Sequence, residues 1–542
     1  MKKISGIIVD PIARKQFPGT LVIDEGRIVD VLSDPDSSIA GPFILPGLID
    51  SHIHIESSML PPAAFAEMAV THGTVAVVAD PHEIANVLGV PGIDFMIENA
   101  AQAPLKFYFG APSCVPATEF ENSGATVSAN DVEELLQRDD IHFLAEMMNF
   151  PGVIGKDREV MAKLQAATRL GKNVDGHAPG LHGENLVAYA GAGISTDHEA
   201  FNLEECYEKL ALGIKIQIRQ GSSARNLDTL HPLISSHTDQ CMLCSDDLKP
   251  ADLTRGHINL LVKKALQLGH DLFDILQCAC VNPARHYQLK VGLLQKGDPA
   301  DFIIVDDLDQ MKISATWING EMVSTQNQAL FQVDPAQPIN HFNAAPISPE
   351  ELQVKSKGLH IKVIEVTDGQ IVTGAGLYPV PDSSAFIYAD PQVDILKILV
   401  QNRYQPTPPS IAFVRGFELK HGAMASSIAH DSHNIIAVGS NDQDLTRAVN
   451  LIHESSGGIC FVNGNEELTL KLPIAGLMGL GSCEQVAREY AKIEQRVKEN
   501  GCQLQTPFMT MAFLALPVIP SLKITDLGLF DVDKFELTDL FD

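Results

Sequence analysis

Between residues 49 and 285 the chain alternates short apolar runs with longer amphipathic ones, and no other feature constrains the fold as much. Strand-like runs fall at 49–55, 75–80, 105–110, 141–149, 173–177, 194–198, 214–220 and 241–246. The stretches between them space their apolar residues at the 3.6-residue period of a helix, for example over 157–170, 183–190, 203–212 and 258–268. Eight strands alternating with helices predict an α/β fold closed into a (β/α)8 TIM barrel over 49–285. An open doubly wound sheet is the competing topology. No Gly-rich dinucleotide fingerprint follows an early strand, which weakens that alternative.

The flanks read differently. Residues 1–48 hold strand patterns at 6–10, 20–24 and 27–32, with turn residues Asp24-Glu25-Gly26 between the last two. Strand character returns after the barrel, where 292–305 and 315–323 look like two hairpins. Segments 1–48 and 286–330 are therefore expected to join as one small β-sandwich domain. A polar, Pro- and Asn-containing stretch at 330–348 suits a linker. An additional C-terminal α/β domain is expected over 349–542, with a strand at 435–438 and helices at 443–453 and 483–500.

Composition narrows the partners. The 542 residues carry a formal charge of -29, which repels nucleic acid and anionic lipid, so neither is an expected partner. No run of 18 apolar residues suggests a membrane span, and no apolar stretch follows Met1-Lys2-Lys3 as a secretion signal would require. Nine cysteines read as reduced thiols of a cytoplasmic protein. Cys241 and Cys244 have the spacing of a zinc knuckle or redox pair. On a strand, however, residues i and i+3 point to opposite faces, which favours two buried core cysteines.

The strand ends carry the chemistry. His52 and His54 are i and i+2 on the first strand and leave it on the same face, where a barrel opens its active-site mouth. His177, His198 and Asp246 each end a later strand. A lone histidine of this kind is usually structural. Four of them with a carboxylate, all at strand C-terminal ends, make a ligand set for Zn²⁺, Mn²⁺ or Fe²⁺. Glu146 sits inside the apolar fourth strand, where a charge is costly unless paired or metal-bound. A carboxylate bridging two ions is the preferred reading over a buried ion pair. Asp246 is chosen over Asp247 because it directly follows the apolar run. His72, His182, His231, His237 and His257 show no comparable pattern and are read as structural. His430-Asp431-Ser432-His433 is the best polar cluster in the C-terminal region. It reads either as a surface turn or as a group that binds a metal or closes over the site.

The order His52-x-His54, a fourth-strand ligand, His177, His198 and Asp246 resembles the amidohydrolase superfamily, as do Leu45-Pro-Gly-Leu-Ile-Asp-Ser-His-Ile-His54 and the block from Gly292 to Val305. Many members carry a carboxylated lysine on the fourth strand. None lies in 141–149 here, so the resemblance assigns that place to Glu146. Ala79-Asp-Pro-His-Glu-Ile-Ala-Asn86, Asp175-Gly-His-Ala-Pro-Gly180, Thr196-Asp-His-Glu199 and Met424 to Asn434 are similar to the bacterial-type adenine deaminase branch.

That resemblance implies hydrolysis of adenine to hypoxanthine and ammonia at a binuclear Mn²⁺ or Fe²⁺ centre, with Zn²⁺ also accepted. Water activated by the metal would attack C6. Asp246 would move the proton to the departing amine, and Glu83 would protonate N1. Glu83 has an equal reading as a carboxylate favoured by its helix N-terminus. Arg219, Gln220 and Ser222 follow the seventh strand and are placed to touch the purine edge, with loop capping the other reading for Ser222. The superfamily also implies a homo-oligomer, most simply a dimer. A cyclic-amide or N-acyl hydrolase on the same scaffold is the alternative activity. A non-catalytic barrel is disfavoured because every ligand position is filled. His182-x-Glu184 lacks the Pro-Cys-x-x-Cys that a cytidine-deaminase-type fold would add.

Overall fold

The computed structural model describes residues 1–34, 41–222, 224–380 and 385–542. Its barrel starts with Leu48–His54, which pairs in parallel with Thr74–Ala79. The series continues through Lys106–Ala111, Ile141–Met147 and Val174–Gly176. A single bridge from Val174 to Ile194 leads on to Thr196–Asp197, Lys215–Arg219 and Cys241–Cys244. The eighth strand breaks at Ser245 and resumes as Asp246–Asp247, which pairs with Ile53 and His54 and closes the ring. A Cβ at Gly176 would meet the Thr196 carbonyl oxygen at 2.5 Å, so glycine is what lets the fifth and sixth strands converge.

Helices cover the outside as the periodicity predicts. Arg158–Arg169 buries Val160, Leu164, Ala166 and Ala167 and starts at Asp157, whose carboxylate caps the amides of Glu159 and Val160. Gly183–Gly191, Leu203–Ala211 and Ile258–Gln267 fall on the other expected helices. The first barrel strand is buried at every position, as a parallel strand covered on both faces must be.

The two flanking segments meet in one small β domain, hydrogen-bonded as a single eight-stranded sheet. Phe43–Pro46 is the junction, parallel to Lys2–Asp10 and antiparallel to Phe302–Asp307. Alternation divides its side chains. Ile8, Ile44 and Phe302 face a small core of their own, while Val9, Leu45 and Ile303 join the core around the barrel. The block 292–305 is not itself a hairpin: its one strand, Phe302–Asp307, pairs onward with Lys312–Ile318. Carboxylates replace the missing ladder, because Asp301 accepts from the Gly292 amide and Asp298 from those of Leu293 and Gln295. The second hairpin is Lys312–Ile318 with Glu321–Thr325.

Beyond residue 349 lies a second eight-stranded, largely antiparallel sheet. Helix Asp442–Ser455 covers one face, packing Leu445, Ala448, Val449 and Ile452 on Ala423, Ala437 and Val462. The other face, with Ile398, Val400, Met424, Val438 and Phe461, shares one continuous core with Met59, Leu60 and Phe65 of the barrel. Met59 and Leu60 lie just past the first barrel strand, so this domain docks at the barrel's C-terminal mouth. Among the described residues, no helix is long and apolar enough to cross a membrane.

Candidate metal centre and active site

The side chains singled out at the strand ends converge. His52 Nε2 lies 3.2 Å from His54 Nε2, and Asp246 Oδ1 is 3.7 Å from the first and 3.3 Å from the second. Glu146 faces two ways. Its Oε1 is 3.4 Å from both His54 Nε2 and His82 Nδ1, and its Oε2 is 2.8 Å from His177 Nδ1 and 3.1 Å from His198 Nε2. Ligands about 2.0–2.2 Å from a tetrahedral ion stand about 3.4 Å from one another. The observed spacings fit that requirement, and imidazole and carboxylate are the donors such ions take. The residues present therefore fit a divalent metal centre.

Electrostatics point the same way. Burial alone would lower the pKa of His177, but Glu199 and Glu146 outweigh it and raise the group to about 9. Burial likewise opposes the charge on His54, yet the Asp246 and Glu146 carboxylates carry it well above the ordinary range. His52 goes the other way, pushed well down by burial and by its neighbours His198 and His54. Burial disfavours the Glu146 carboxylate, but His177 and His198 keep it well below the usual carboxylate range, as Arg219 and His54 do for Asp246. A bowl that draws protons onto its imidazoles draws a divalent cation more strongly, since the same carboxylates act on twice the charge.

Each ligand is held by structure behind it. The His54 Nδ1–H donates to the Asp80 carbonyl at 3.1 Å, which turns the Nε2 lone pair inward. Tyr189 donates to the Met147 carbonyl and accepts from the His177 amide, tying the fourth strand to the fifth. Asp197 accepts from the amides of Ala178, Glu199 and Ala200 and pairs with the buried Lys209 at 2.9 Å, fixing both histidine-bearing strand ends. Asp246 has a backbone φ of 58°. This left-handed turn interrupts the eighth strand and sets the carboxylate against the first-strand histidines.

Sequence reasoning missed two members of the cluster, His82 and Glu199, and offered a third, Asp431, only within the 430–433 group whose role it left open. His82, directly after the second strand, lies 3.2 Å from Asp80 Oδ2 and shares Glu146 Oε1. Glu199, next to His198, lies 3.6 Å from His198 Nε2 and pairs with Arg219. Asp431 comes from the C-terminal domain, 3.8 Å from His82 Nε2. The strings Asp80-Pro-His-Glu83 and His198-Glu199 were the available signals for the first two.

Glu83 is buried on the cavity wall, its Oε1 3.1 Å from the Ser57 hydroxyl and 3.6 Å from His430 Nδ1. Burial and the nearby Asp247 and Glu56 carboxylates hold its carboxyl well above the usual range. Asp247 accepts from Ser57 at 2.6 Å, so the two neighbouring aspartates serve different groups. His433 is fully buried beside His430, and neither of its ring nitrogens has a hydrogen-bond partner among the described residues.

Arg219 lines the cavity, its guanidinium paired with Glu199 and Asp246. The Ser222 hydroxyl turns into its own loop instead, donating to Asp252 and accepting from the Lys249 amide. Gln220 faces a separate surface pocket with Arg255 and Leu260. Cys241 and Cys244 are buried, unpaired core residues. His257 is buried 2.8 Å from Asp50, far in role from the metal ligands.

The cavity above the ligands is roofed by the C-terminal domain, through Ile371, His430, Asp431, Phe513, Leu516 and Ile519. Residues 43–323 match the amidohydrolase family, and residues 370–536 match the adenine deaminase C-terminal domain. Across its whole length the chain is 49% identical to the full adenine deaminase of Methanosarcina mazei. It is 47% identical to that of Parabacteroides distasonis, covering 99% of this chain and 98% of the relative. Identity to the adenine deaminase of Borreliella burgdorferi is 45%, covering 99% of each.

Proposed function

Because the chain belongs to the amidohydrolase family, and within it to the adenine deaminases over its full length, we propose that it hydrolyses adenine to hypoxanthine and ammonia at the barrel mouth. One observation supports the site above all: the Glu146 carboxylate splits its oxygens between two pairs of imidazoles, with Asp246 beside one of them. In this reading His52, His54, Glu146, His177, His198 and Asp246 hold two divalent ions, with His82 at the edge of the set. Mn²⁺ or Fe²⁺ are the ions expected and Zn²⁺ is accepted, since donors of this kind take all three.

Bound there, the ions supply the acidity that ionises water near neutral pH. Asp246 takes the proton that the attacking water gives up and returns it to the 6-amino group as that group leaves as ammonia. Addition at C6 drives an electron pair onto N1. Glu83, on the cavity wall next to Ser57 and His430, donates the proton that N1 needs. Arg219 holds Asp246 and Glu199 in place and borders the purine edge. Ser222 contributes by fixing the loop after the seventh strand, and its hydroxyl faces away from the purine. The atoms balance: one water enters and C6 keeps its oxygen, one of its protons leaves with the amine as ammonia, and the other, released as the C6 hydroxyl becomes a carbonyl, replaces the proton that Glu83 gave to N1. Assembly as a homodimer is part of the reading.

Purified protein loaded with Mn²⁺ or Fe²⁺ should release ammonia from adenine and leave hydantoin and dihydropyrimidine rings intact. Ring opening of either, with adenine untouched, would replace the deaminase reading with that of a cyclic-amide hydrolase.

A further inference from the structure

The space directly over the ligands holds about 40 Å³, whereas a vestibule beside it holds about 710 Å³. Ordinary ligand pockets run to about 300–1,000 Å³, so the vestibule has room for a purine and the chamber in this conformation does not. The two spaces share walls. Glu199, Arg219 and Ala224 come from the barrel, and Ile371 and Ile519 from the C-terminal domain. Of these barrel residues Glu199 and Arg219 are locked by ion pairing. The C-terminal pair belongs to a small apolar cluster with Phe513 and Leu516, separate from the main core. The cluster lies apart from the main core, although its neighbours Leu514 and Ala515 belong to that core and Phe513 stacks on His430 at 4.5 Å, so its position depends on how this segment is held.

One buried cation fastens it. Lys523 is wholly buried on the strand Leu522–Thr525. Its Nζ donates to the carbonyl oxygens of Ile371 at 2.9 Å and Phe513 at 3.1 Å. Thr373 is tied to the same strand, its hydroxyl donating to the Leu522 carbonyl at 2.8 Å. Burial alone accounts for the ammonium's pKa falling to about 7, and no carboxylate among the described residues offsets it. An unpaired ammonium is a costly way to fill a core position that methionine or leucine would fill with less penalty. What distinguishes the lysine is that it grips the backbone of two segments that both line the metal chamber.

We propose that Lys523 is a positioning residue that sets a gate of Ile371, Phe513 and Ile519 between the vestibule and the metal chamber. The gate rests on the adenine reading above only for its substrate. Lys523→Met removes both hydrogen bonds, and Lys523→Gln keeps a donor without the charge. With metal content unchanged, the KM for adenine should rise roughly tenfold in Lys523→Met and less in Lys523→Gln, while kcat stays within about threefold. A KM within about twofold of wild type in both variants overturns the gate, as does a loss of kcat that tracks loss of metal. Hydrogen exchange on the wild-type protein gives a second test that needs no variant. On adding hypoxanthine, segments 369–373 and 513–519 should gain protection together, and protection of one without the other refutes the clamp. A wild-type protein that binds hypoxanthine this way yet leaves adenine untouched would sink the deaminase reading and leave the gate standing.

Discussion

Replacing Glu146 by glutamine is the most direct probe of the metal centre. The amide has one acceptor oxygen and one donor nitrogen where the carboxylate has two acceptors. Oε1 serves His54 and His82 at 3.4 Å, and Oε2 serves His177 and His198 at 2.8 and 3.1 Å. Whichever way the amide turns, both pairs lose their shared anion and one of them also meets an NH₂ group. Breaking a buried charge pair from one side costs about 3–5 kcal/mol, equivalent to about 10² to 5 × 10³-fold weaker binding of one ion. Metal-free Glu146→Gln protein would be titrated with Mn²⁺, desalted and analysed for metal per chain. The expected result is one ion or fewer, with adenine turnover down by at least about 10²-fold. Two ions retained at wild-type affinity would refute the bridging assignment.

Asp246→Asn should cut adenine turnover by about 10²–10⁴-fold while equilibrium dialysis still detects adenine binding, and a loss of less than tenfold would remove Asp246 from proton transfer. Glu83→Gln should lower kcat by a similar factor of about 10²–10⁴ with metal content intact, and metal loss in parallel would argue against an acid at N1. His72 gives a pH test away from the site. Burial, helped by His257, lowers its pKa to about 4, and its Nε2 meets the Leu253 carbonyl at 2.8 Å. The folded value lies below the unfolded value of about 6.5, so the unfolded chain binds the extra proton and stability falls as pH drops from about 6.5 to 4. Denaturant melts of His72→Gln should lack up to about 3 kcal/mol of that decline relative to wild type, and identical declines would show that His72 is not depressed.

The barrel and half of the site were legible in the sequence for one physical reason. A parallel strand is buried on both faces, so its polar residues stand out where the apolar run ends. His52, His54, His177, His198 and Asp246 are all of this kind, and Glu146 stands out inside its run. His82 and Glu199 lie two or more residues past their strands, where no period-two rule says which way a side chain points. Ser222 illustrates the same limit from the other side, since its position near the mouth did not reveal that its hydroxyl turns back to Asp252. Phe513 and Lys523 were out of reach altogether, and Asp431 was visible only within a polar cluster that read equally as a surface turn. They come to the barrel mouth, Lys523 through the two segments it holds, only because apolar sheet and barrel faces pack together, and that docking leaves no periodic trace in the chain. The 292–305 block misled because aspartates at 298 and 301 satisfy its amides in place of a partner strand.

The core that runs unbroken from Met59 and Phe65 into Ile398, Met424 and Phe461 makes the two halves a single cooperative body. A polypeptide ending in the linker near residue 340 would leave that barrel surface bare and the metal bowl without its ceiling. Such a fragment would be sticky before it was inactive, because contiguous exposed apolar area drives association. Swapping the C-terminal half for that of a relative would then be governed by how well the two apolar faces mesh, and substrate selection would travel with the transplanted ceiling while the ligand set stayed behind.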